Sequence, residues 1–476
     1  MQRKSESVRA MSGEVLVIGA GMAGLVASLE AVAAGSRVTV IDKLRSMAEE
    51  KVVPVLPGGP GNDTAKSGGA GLGRFESQAP VEQQLEEHLE RSWGQADPDL
   101  IRAYLERIVD DCRWLRDELR APYVSATRIR GMGPGLCRFL IKEVSKRKVT
   151  LHFETRATEL ITDHRNAVVG AKASGPRGET EFYGGAVVLA TGGFQGNQEM
   201  LVKYAGPEMA YGTVLTGCPT NTGDGHIMAV KLGAQMINVS ACHVRTMDAL
   251  HARGPSRAME NIYPRGIYLN MECRRFLDEG TADSDTIANA IVYQPGHKAA
   301  LVFDEATRAA FPDEWKKYPN KEKTIQLARS LEHLAEKIGV DPRTFTATIK
   351  QFNLAVAQGE AHLLPVPKTR HATKIERPPF YAFYPVLPGL NHPLGGLKIN
   401  AKCQVLNQDN GPIAGLYAAG VIANWAFGKQ YRLGDVISFK GSYHAPMASG
   451  LATALTFGRI AGRNAALEAL SRSAPS

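Results

Sequence analysis

Gly19, Gly21 and Gly24, in the stretch Val15-Leu-Val-Ile-Gly-Ala-Gly-Met-Ala-Gly24, have the spacing that lets a backbone approach a pyrophosphate. Gly19 permits a tight turn, Gly21 the close approach, and Gly24 the packing of a helix against the preceding strand. Asp42 closes the next apolar run, Val38-Thr-Val-Ile, where a carboxylate accepts hydrogen bonds from ribose hydroxyls. The chemistry implied is the binding of a dinucleotide.

Two distant segments decide which one. Ala190-Thr191-Gly192-Gly193-Phe194 ends the apolar run Ala186-Val-Val-Leu, and Gly415-Leu-Tyr-Ala-Ala-Gly420 lies shortly before a C-terminal helix. A nicotinamide dehydrogenase needs one glycine unit and gives no reason for the other two. A strand ending in Ala-Thr-Gly-Gly returns beside the adenosine end of FAD in two-dinucleotide-binding flavoproteins. FAD is therefore the cofactor expected.

The elements that must position these turns follow from periodicity. Val15 to Ile18 suits a buried parallel strand, and Met22 to Ala34 a helix whose first N–H groups face the phosphates. Val52 to Gly61 is a loop by its proline and glycine content. Asn62-Asp-Thr-Ala-Lys-Ser67-Gly68-Gly69-Ala-Gly71 exposes backbone in the way of a segment wrapped around a cofactor. From Asp97 to Leu119 the spacing of Ile101, Leu105, Ile108, Cys112 and Leu115 predicts one helix, capped by Asp97 with Pro98 in its first turn. Lys148–Leu160, Ala167–Ala173 and Glu181–Leu189 read as strands, and Thr222-Gly-Asp224-Gly225 opens a helix over His226 to Gly233. Beyond Cys242 charge and tryptophan increase, with helical stretches at Lys321–Ile338 and Pro342–Gln358. A β-rich, glycine-rich style returns near Pro378.

The fold class expected is α/β: a two-dinucleotide-binding, glutathione-reductase-like FAD domain over residues 1–240 and 381–476. An inserted α+β capping domain would occupy 241–380. A chain of 476 residues exceeds what one hydrophobic core supports, which agrees with two domains. The formal net charge of +8 suits an anionic substrate or an acidic partner. Lys146-Arg-Lys148 is too short, and too poor in aromatics, for a nucleic-acid arm. The six cysteines are scattered with no Cys-x-x-Cys pair, which argues against iron–sulfur or structural zinc and for a reducing compartment. Neither a signal peptide nor a membrane span is read, so a cytoplasmic location is expected.

With these segments in order, the chain resembles the fumarate reductase/succinate dehydrogenase flavoprotein family over nearly its whole length. The stretches that carry the resemblance are Asn62-Asp-Thr-Ala-Lys-Ser-Gly-Gly69, Ala190-Thr-Gly-Gly-Phe194, Thr222-Gly-Asp-Gly225, Arg275-Phe-Leu-Asp-Glu-Gly280 and His392-Pro-Leu-Gly-Gly-Leu397. Ser449-Gly450-Leu451, with Phe457-Gly-Arg-Ile-Ala-Gly462, completes them. Arg275 to Gly280 and Gln294-Pro-Gly296 look most like the tricarballylate dehydrogenase branch. The resemblance assigns the cofactor to Gly19, Gly21, Ala23, Gly24, Asp42, Lys43, Ser67, Gly68, Gly69, Ala157, Ala190, Thr191, Gly192, Asp224, Gly420, Ser449, Gly450 and Leu451.

It also implies an activity: oxidation or reduction of a C–C bond beside a carboxylate or carbonyl. A base handles the α proton, cationic or donor groups stabilise the developing charge, and flavin N5 exchanges the β hydride. His392 matches the family's substrate-binding histidine, and His243 falls near a second one. Arg265 and Arg275 lie in the capping segment, where an arginine fork suits a carboxylate; Arg275 has the alternative of pairing with Asp278 or Glu279. Tyr443 and His444 are candidates for proton transfer. Asn62 stands where succinate dehydrogenases carry the histidine bonded to FAD, so FAD is expected to be noncovalent. Asp283 stands where fumarate reductases carry a proton-donating arginine, Val421 replaces a glutamate, and Asn424 to Tyr443 is longer than usual. Expected partners are a small organic acid or carbonyl substrate and a separate electron acceptor. The alternatives are a 3-ketosteroid-type dehydrogenase using one of Tyr263, Tyr268, Tyr381 or Tyr384, and a flavin-binding subunit without a substrate of its own.

Overall fold

The computed structural model describes residues 13–46, 64, 72, 79–91, 96–126, 128–250, 254, 259–318, 321–424 and 450–472. The first layer is built around β1 (Glu14–Ile18), α1 (Met22–Ala33), β2 (Arg37–Ile41) and β3 (Ala186–Leu189). β1 lies between β2 and β3, parallel to both, and Thr150–His152 extends the sheet beyond β2. Pro412–Ala418 continues it in parallel beyond β3, with Gln404–Leu406 as an antiparallel edge. Val15–Ile18 and all of β3 are buried, as expected of parallel strands covered on both faces. A three-stranded antiparallel sheet, Arg156–Thr162, Val168–Gly175 and Gly178–Tyr183, is inserted before β3.

A second, mixed sheet is organised on one long strand. β4 (Cys242–Met247), Ile325–Ala328 and Ala299–Asp304 all pair antiparallel with β5 (Phe380–Pro393); α2 (Ser284–Val292) packs against β4. Val214–Leu215 joins β5 in parallel, and Ile267–Leu269 pairs with Ala299–Asp304. β5 covers residues expected to begin the returning part of the FAD domain, and its hydrogen bonds place it at the centre of the second sheet.

The C-terminal helix α3 (Gly450–Ser471) returns to the first layer and lies along α1. Gly458 and Gly462 make that approach possible: a Cβ there would stand 2.7 Å from the Ala23 carbonyl oxygen and 2.1 Å from that of Ala27. Arg459 locks the contact through Glu30 and, at 2.8 Å, Asp111.

Two helical expectations are corrected. The helix over Asp97 to Leu119 begins as expected, with Asp97 Oδ1 accepting from Asp99 and Leu100 and with Pro98 in the first turn. It then breaks into Pro98–Leu105, Ile108–Arg113 and a wide turn over Trp114–Glu118. The bend lets both pieces follow α3, with Tyr104 stacked on Phe457 and Asp111 paired to Arg459. Lys321–Ile338 is likewise interrupted, because Ile325–Ala328 gives its backbone groups to Phe380–Phe383; a new helix then starts at the Ser330 cap. Among the described residues no helix is long and apolar enough to cross a membrane, and no cluster is suited to a metal ion. All six cysteines are buried thiols outside any disulfide.

Candidate active site

The cofactor end is built from turns. At Gly19, φ is +113° and a Cβ would meet the Ala190 carbonyl oxygen at 2.3 Å. At Gly24 a Cβ would meet the Gly19 carbonyl oxygen at 1.9 Å, so neither position admits a side chain. Gly21 caps α1 in an extended conformation, with Thr64 Oγ1 accepting from the Met22 N–H at 2.9 Å. Asp42 Oδ2 accepts from Ala20 N at 2.6 Å and Oδ1 from Leu44 N at 2.7 Å, which aims the carboxylate at the glycine turn. Burial raises its pKa, against the pull of those two backbone bonds and of Lys43.

Lys43 and Asp224 form a strut beside this turn. Lys43 Nζ lies 2.8 Å from Asp224 Oδ2 and 2.8 Å from Thr222 Oγ1, and Arg156 bonds Asp224 from the inserted sheet. Burial alone would raise the Asp224 pKa, but the hydrogen bonds from Arg156 and Lys43 outweigh it and hold the carboxyl below its ordinary value. Neighbouring Ala157 is buried in a strand, paired with Ala173.

Ala190 N bonds the Ile18 carbonyl at the end of β1, and Thr191 Oγ1 is buried without a hydrogen-bond partner. Gly420 turns beside Ala23 on α1. Gly450 opens α3, with Leu451 buried. Ser67, Gly68, Gly69, Tyr443, His444 and Ser449 lie outside the described residues, as do Asn62 and most of Asn424 to Tyr443. A backbone cradle at α1, a carboxylate beside it and a buried unpartnered hydroxyl at Thr191 fit a dinucleotide carrying a flavin.

The glycine turn after β3 leads directly to the second sheet. A Cβ on Gly193 would meet Pro393 Cδ at 3.1 Å and Val421 Cγ1 at 3.2 Å. His392 precedes Pro393 on β5, and His243 stands opposite it on β4. Their rings meet edge to face, with His243 Nδ1 3.3 Å from His392 Nε2. Arg245 Nε donates to His243 Nε2 at 2.7 Å, and Asp285 Oδ1 on α2 lies 3.4 Å from the same nitrogen. Asn391 Nδ2 lies 3.1 Å from His243 Nδ1, and His392 Nδ1 faces the Pro393 carbonyl at 3.0 Å. Sequence reasoning found both histidines and missed Arg245, Asp285 and Asn391. Arg245 was within reach, because residues two apart on a strand share a face. Asp285 was not, since only the packing of α2 brings it there.

The arginines expected at the site are elsewhere. Arg275 Nε and Nη2 grip Glu279 at 3.2 and 2.6 Å, while Nη1 and Nη2 bond the carbonyls of Val366 and Pro367. Lys368, fully buried, adds its Nζ to Glu279 at 3.3 Å and to the carbonyls of Pro264 and Gly266. This buried knot realises the pairing alternative for Arg275 and occupies its whole fork. Arg265 is half-buried over the Phe311 ring, 4.6 Å from its centroid, and bonds the Asn261 carbonyl. Asp283 caps α2, its Oδ1 accepting from Thr286 N at 2.8 Å.

Three of the tyrosines offered for ketosteroid chemistry, Tyr263, Tyr268 and Tyr381, are poorly suited to accept a proton. Burial pushes Tyr263 and Tyr381 up to about 12 and Tyr268 well above its ordinary value, the reverse of what a proton-accepting phenolate needs. Nearer the glycine turn, His226 lies edge-on to Phe194, and burial pushes its pKa down to about 4.

Comparison with known proteins bears on the fold and the cofactor. The family model described as an FAD binding domain matches residues 14–132 and 119–436. A urocanate reductase of Eggerthella lenta is 31% identical over 95% of this chain and 74% of its own length. A probable fumarate reductase of Shewanella frigidimarina is 29% identical over 96% of this chain and 76% of its own. The open conformation of a flavocytochrome c3 fumarate reductase superposes with a TM-score of 0.71 at 26% identity, covering 98% of this chain and 81% of that one.

Proposed function

The chain belongs to the fumarate reductase-like family of FAD-binding flavoproteins, and from that premise we propose that it interconverts a single and a double C–C bond beside a carboxylate. FAD is its cofactor, and the protein is an FAD-dependent oxidoreductase. The flavin supplies the hydride acceptor or donor. The substrate would lie between the Gly192-Gly193 turn and the seam of β4 and β5. The observation that carries this reading is the histidine pair placed one residue from Pro393, against the turn that ends the nucleotide-binding sheet.

The His243 and His392 imidazoles, with the positive charge of Arg245 beside them, form a set suited to an anionic oxygen and to enolate-like charge on the α-carbon. The names of relatives support the class: fumarate and urocanate are both unsaturated acids. Resemblance to the tricarballylate branch carries less weight. The stretch Arg275 to Gly280 on which it rests forms the buried knot around Glu279 and has a structural task in this chain. Noncovalent FAD rests on Asn62 at the position of the flavin-bonded histidine, and acid precipitation that releases all the flavin would support it. A separate electron acceptor is part of the same proposal.

The test is anaerobic flavin absorbance. The reduced protein is offered fumarate, urocanate and acrylate, and the oxidised protein succinate, tricarballylate and a saturated 3-ketosteroid. Reoxidation or bleaching by an acid supports the reading. Bleaching by the steroid alone, or silence toward every acid, sinks it.

A further inference from the structure

The direction of the hydrogen bonds through the histidine pair is fixed at both ends. The Pro393 carbonyl oxygen can only accept, so His392 Nδ1, 3.0 Å away, carries hydrogen. A neutral His392 therefore keeps its lone pair on Nε2. Arg245 Nε can only donate, so His243 Nε2, 2.7 Å away, is the bare nitrogen of that ring. His243 then carries its hydrogen on Nδ1 and points it at His392 Nε2 across 3.3 Å. Asn391 Nδ2 lies 3.1 Å from the same His243 Nδ1; since Arg245 cannot accept and a neutral imidazole cannot take two donors, the Asn391 amide is turned over, oxygen for nitrogen, to accept that hydrogen. Asp285 Oδ1 on α2 lies 3.4 Å from His243 Nε2, longer than an ordinary hydrogen bond. The contact between the rings is longer than an ordinary N–H hydrogen bond, and an anionic oxygen is the better acceptor for His243.

We propose that His392 Nε2 is the atom that exchanges a proton with the substrate α-carbon, and that Arg245 is its positioning residue, acting through His243. This rests on the substrate reading above and goes beyond it by naming the base. A substrate carboxylate takes the His243 Nδ1–H, and the His392 lone pair turns to the α-carbon. In oxidation the α C–H bond breaks and its proton goes to Nε2. The β C–H bond breaks with its electron pair, which leaves as hydride to the bound flavin, and the C=C bond forms between the two carbons. The resulting imidazolium is held by its Nδ1–H on the Pro393 carbonyl. Reduction is the same step reversed, with His392 as acid.

The experiment uses the FAD-bound protein and the acid most active in the panel. His392→Gln keeps a side chain of similar reach but no base, and the rate of flavin reduction or reoxidation at saturation should fall at least about 100-fold. Flavin absorbance should persist, and the substrate half-saturation should stay within about threefold. In His392→Ala, added imidazole should restore rate. A His392→Gln rate close to wild type overturns the proposal, as does a preserved rate with weakened binding. Nitrogen-15 spectra of histidine-labelled, substrate-free protein should show His392 with hydrogen on Nδ1 and His243 with hydrogen on Nδ1. Arg245→Gln should disturb the His243 signal and slow the reaction. The opposite tautomer of His392 overturns the proposal whatever the substrate. A panel silent toward wild type overturns the functional reading instead, and the tautomer spectrum still decides this one.

Discussion

Two charged clusters in the second layer use the same side chains to opposite ends. Around Glu279, Arg275 and Lys368 have their donors taken by one carboxylate and five carbonyl groups, all inside the protein. Around His243, Arg245 directs Nε at an imidazole, and the set opens toward the glycine turn through His392 and Pro393. The first cluster is closed, its two cations sharing one carboxylate. The second passes a hydrogen-bond direction from one side chain to the next. An arginine beside an acid in sequence is therefore poor evidence of a substrate site. What counts is whether its donors end on the protein's own backbone.

Breaking the closed cluster should give the largest effect. Glu279→Ala leaves Arg275 and Lys368 as two buried cations without their shared carboxylate and strips the Tyr268 N–H of its acceptor. Removing one partner of a buried pair costs about 3–5 kcal/mol, read by denaturant unfolding of the FAD-bound protein. Arg275→Ala should fall in the same range, because Glu279 and the Val366 and Pro367 carbonyls lose their donors. A stable Arg275→Ala protein whose flavin reacts slowly with acids would return that residue to the substrate and dissolve the contrast.

Arg245→Ala should show the reverse profile. Arg245 acts through His243, so its loss should slow the reaction by at most about 10²–10³-fold, the range for a lost charge-stabilising donor, with the unfolding midpoint changed less than in Glu279→Ala. Equal damage to both quantities would make the two clusters alike.

How far these clusters were legible in the sequence differs for a physical reason. Gly19 and Gly24 announce the cofactor turn because each has a local steric cause, a strand, a helix or a carbonyl where a Cβ would go. β1, α1, β2 and Pro342–Gln358 were readable by periodicity for the same reason, since their patterns repeat within one element. Ile325–Ala328 was hidden inside a helical pattern because its strand state is supplied by β5, more than fifty residues later in sequence. The histidine pair joins residues 149 apart, and Asp285 reaches it only through the seating of α2. Local chemistry found the cradle and the family resemblance pointed to both imidazoles; neither could find the neighbours that orient them.

Lys368→Met sharpens the comparison from inside the closed cluster. It removes the donor to the Pro264 and Gly266 carbonyls and leaves Glu279 held by the Arg275 fork and the Tyr268 N–H. The two unmet carbonyls should cost about 1–3 kcal/mol, less than Glu279→Ala because no charge is left unpaired. A loss as large as that of Glu279→Ala would mean the lysine charge, rather than its hydrogen bonds, holds the knot.

The smallest effect is expected at Asp283, which the family resemblance sets near the proton-donating arginine of fumarate reductases and which caps the helix that carries Asp285. Its Oδ1 accepts from the Thr286 N–H at 2.8 Å, an N-cap contact that Ala cannot make. Asp283→Ala should cost about 1 kcal/mol of stability. It should leave flavin reduction near the wild-type rate, because the helix is also held by its buried side chains from Ser284 to Val292. The mutation bears on the open cluster only through the position of Asp285, 3.4 Å from His243 Nε2. A hundredfold loss of rate with unfolding unchanged would show that position 283 handles the proton after all, and His392 would lose that role.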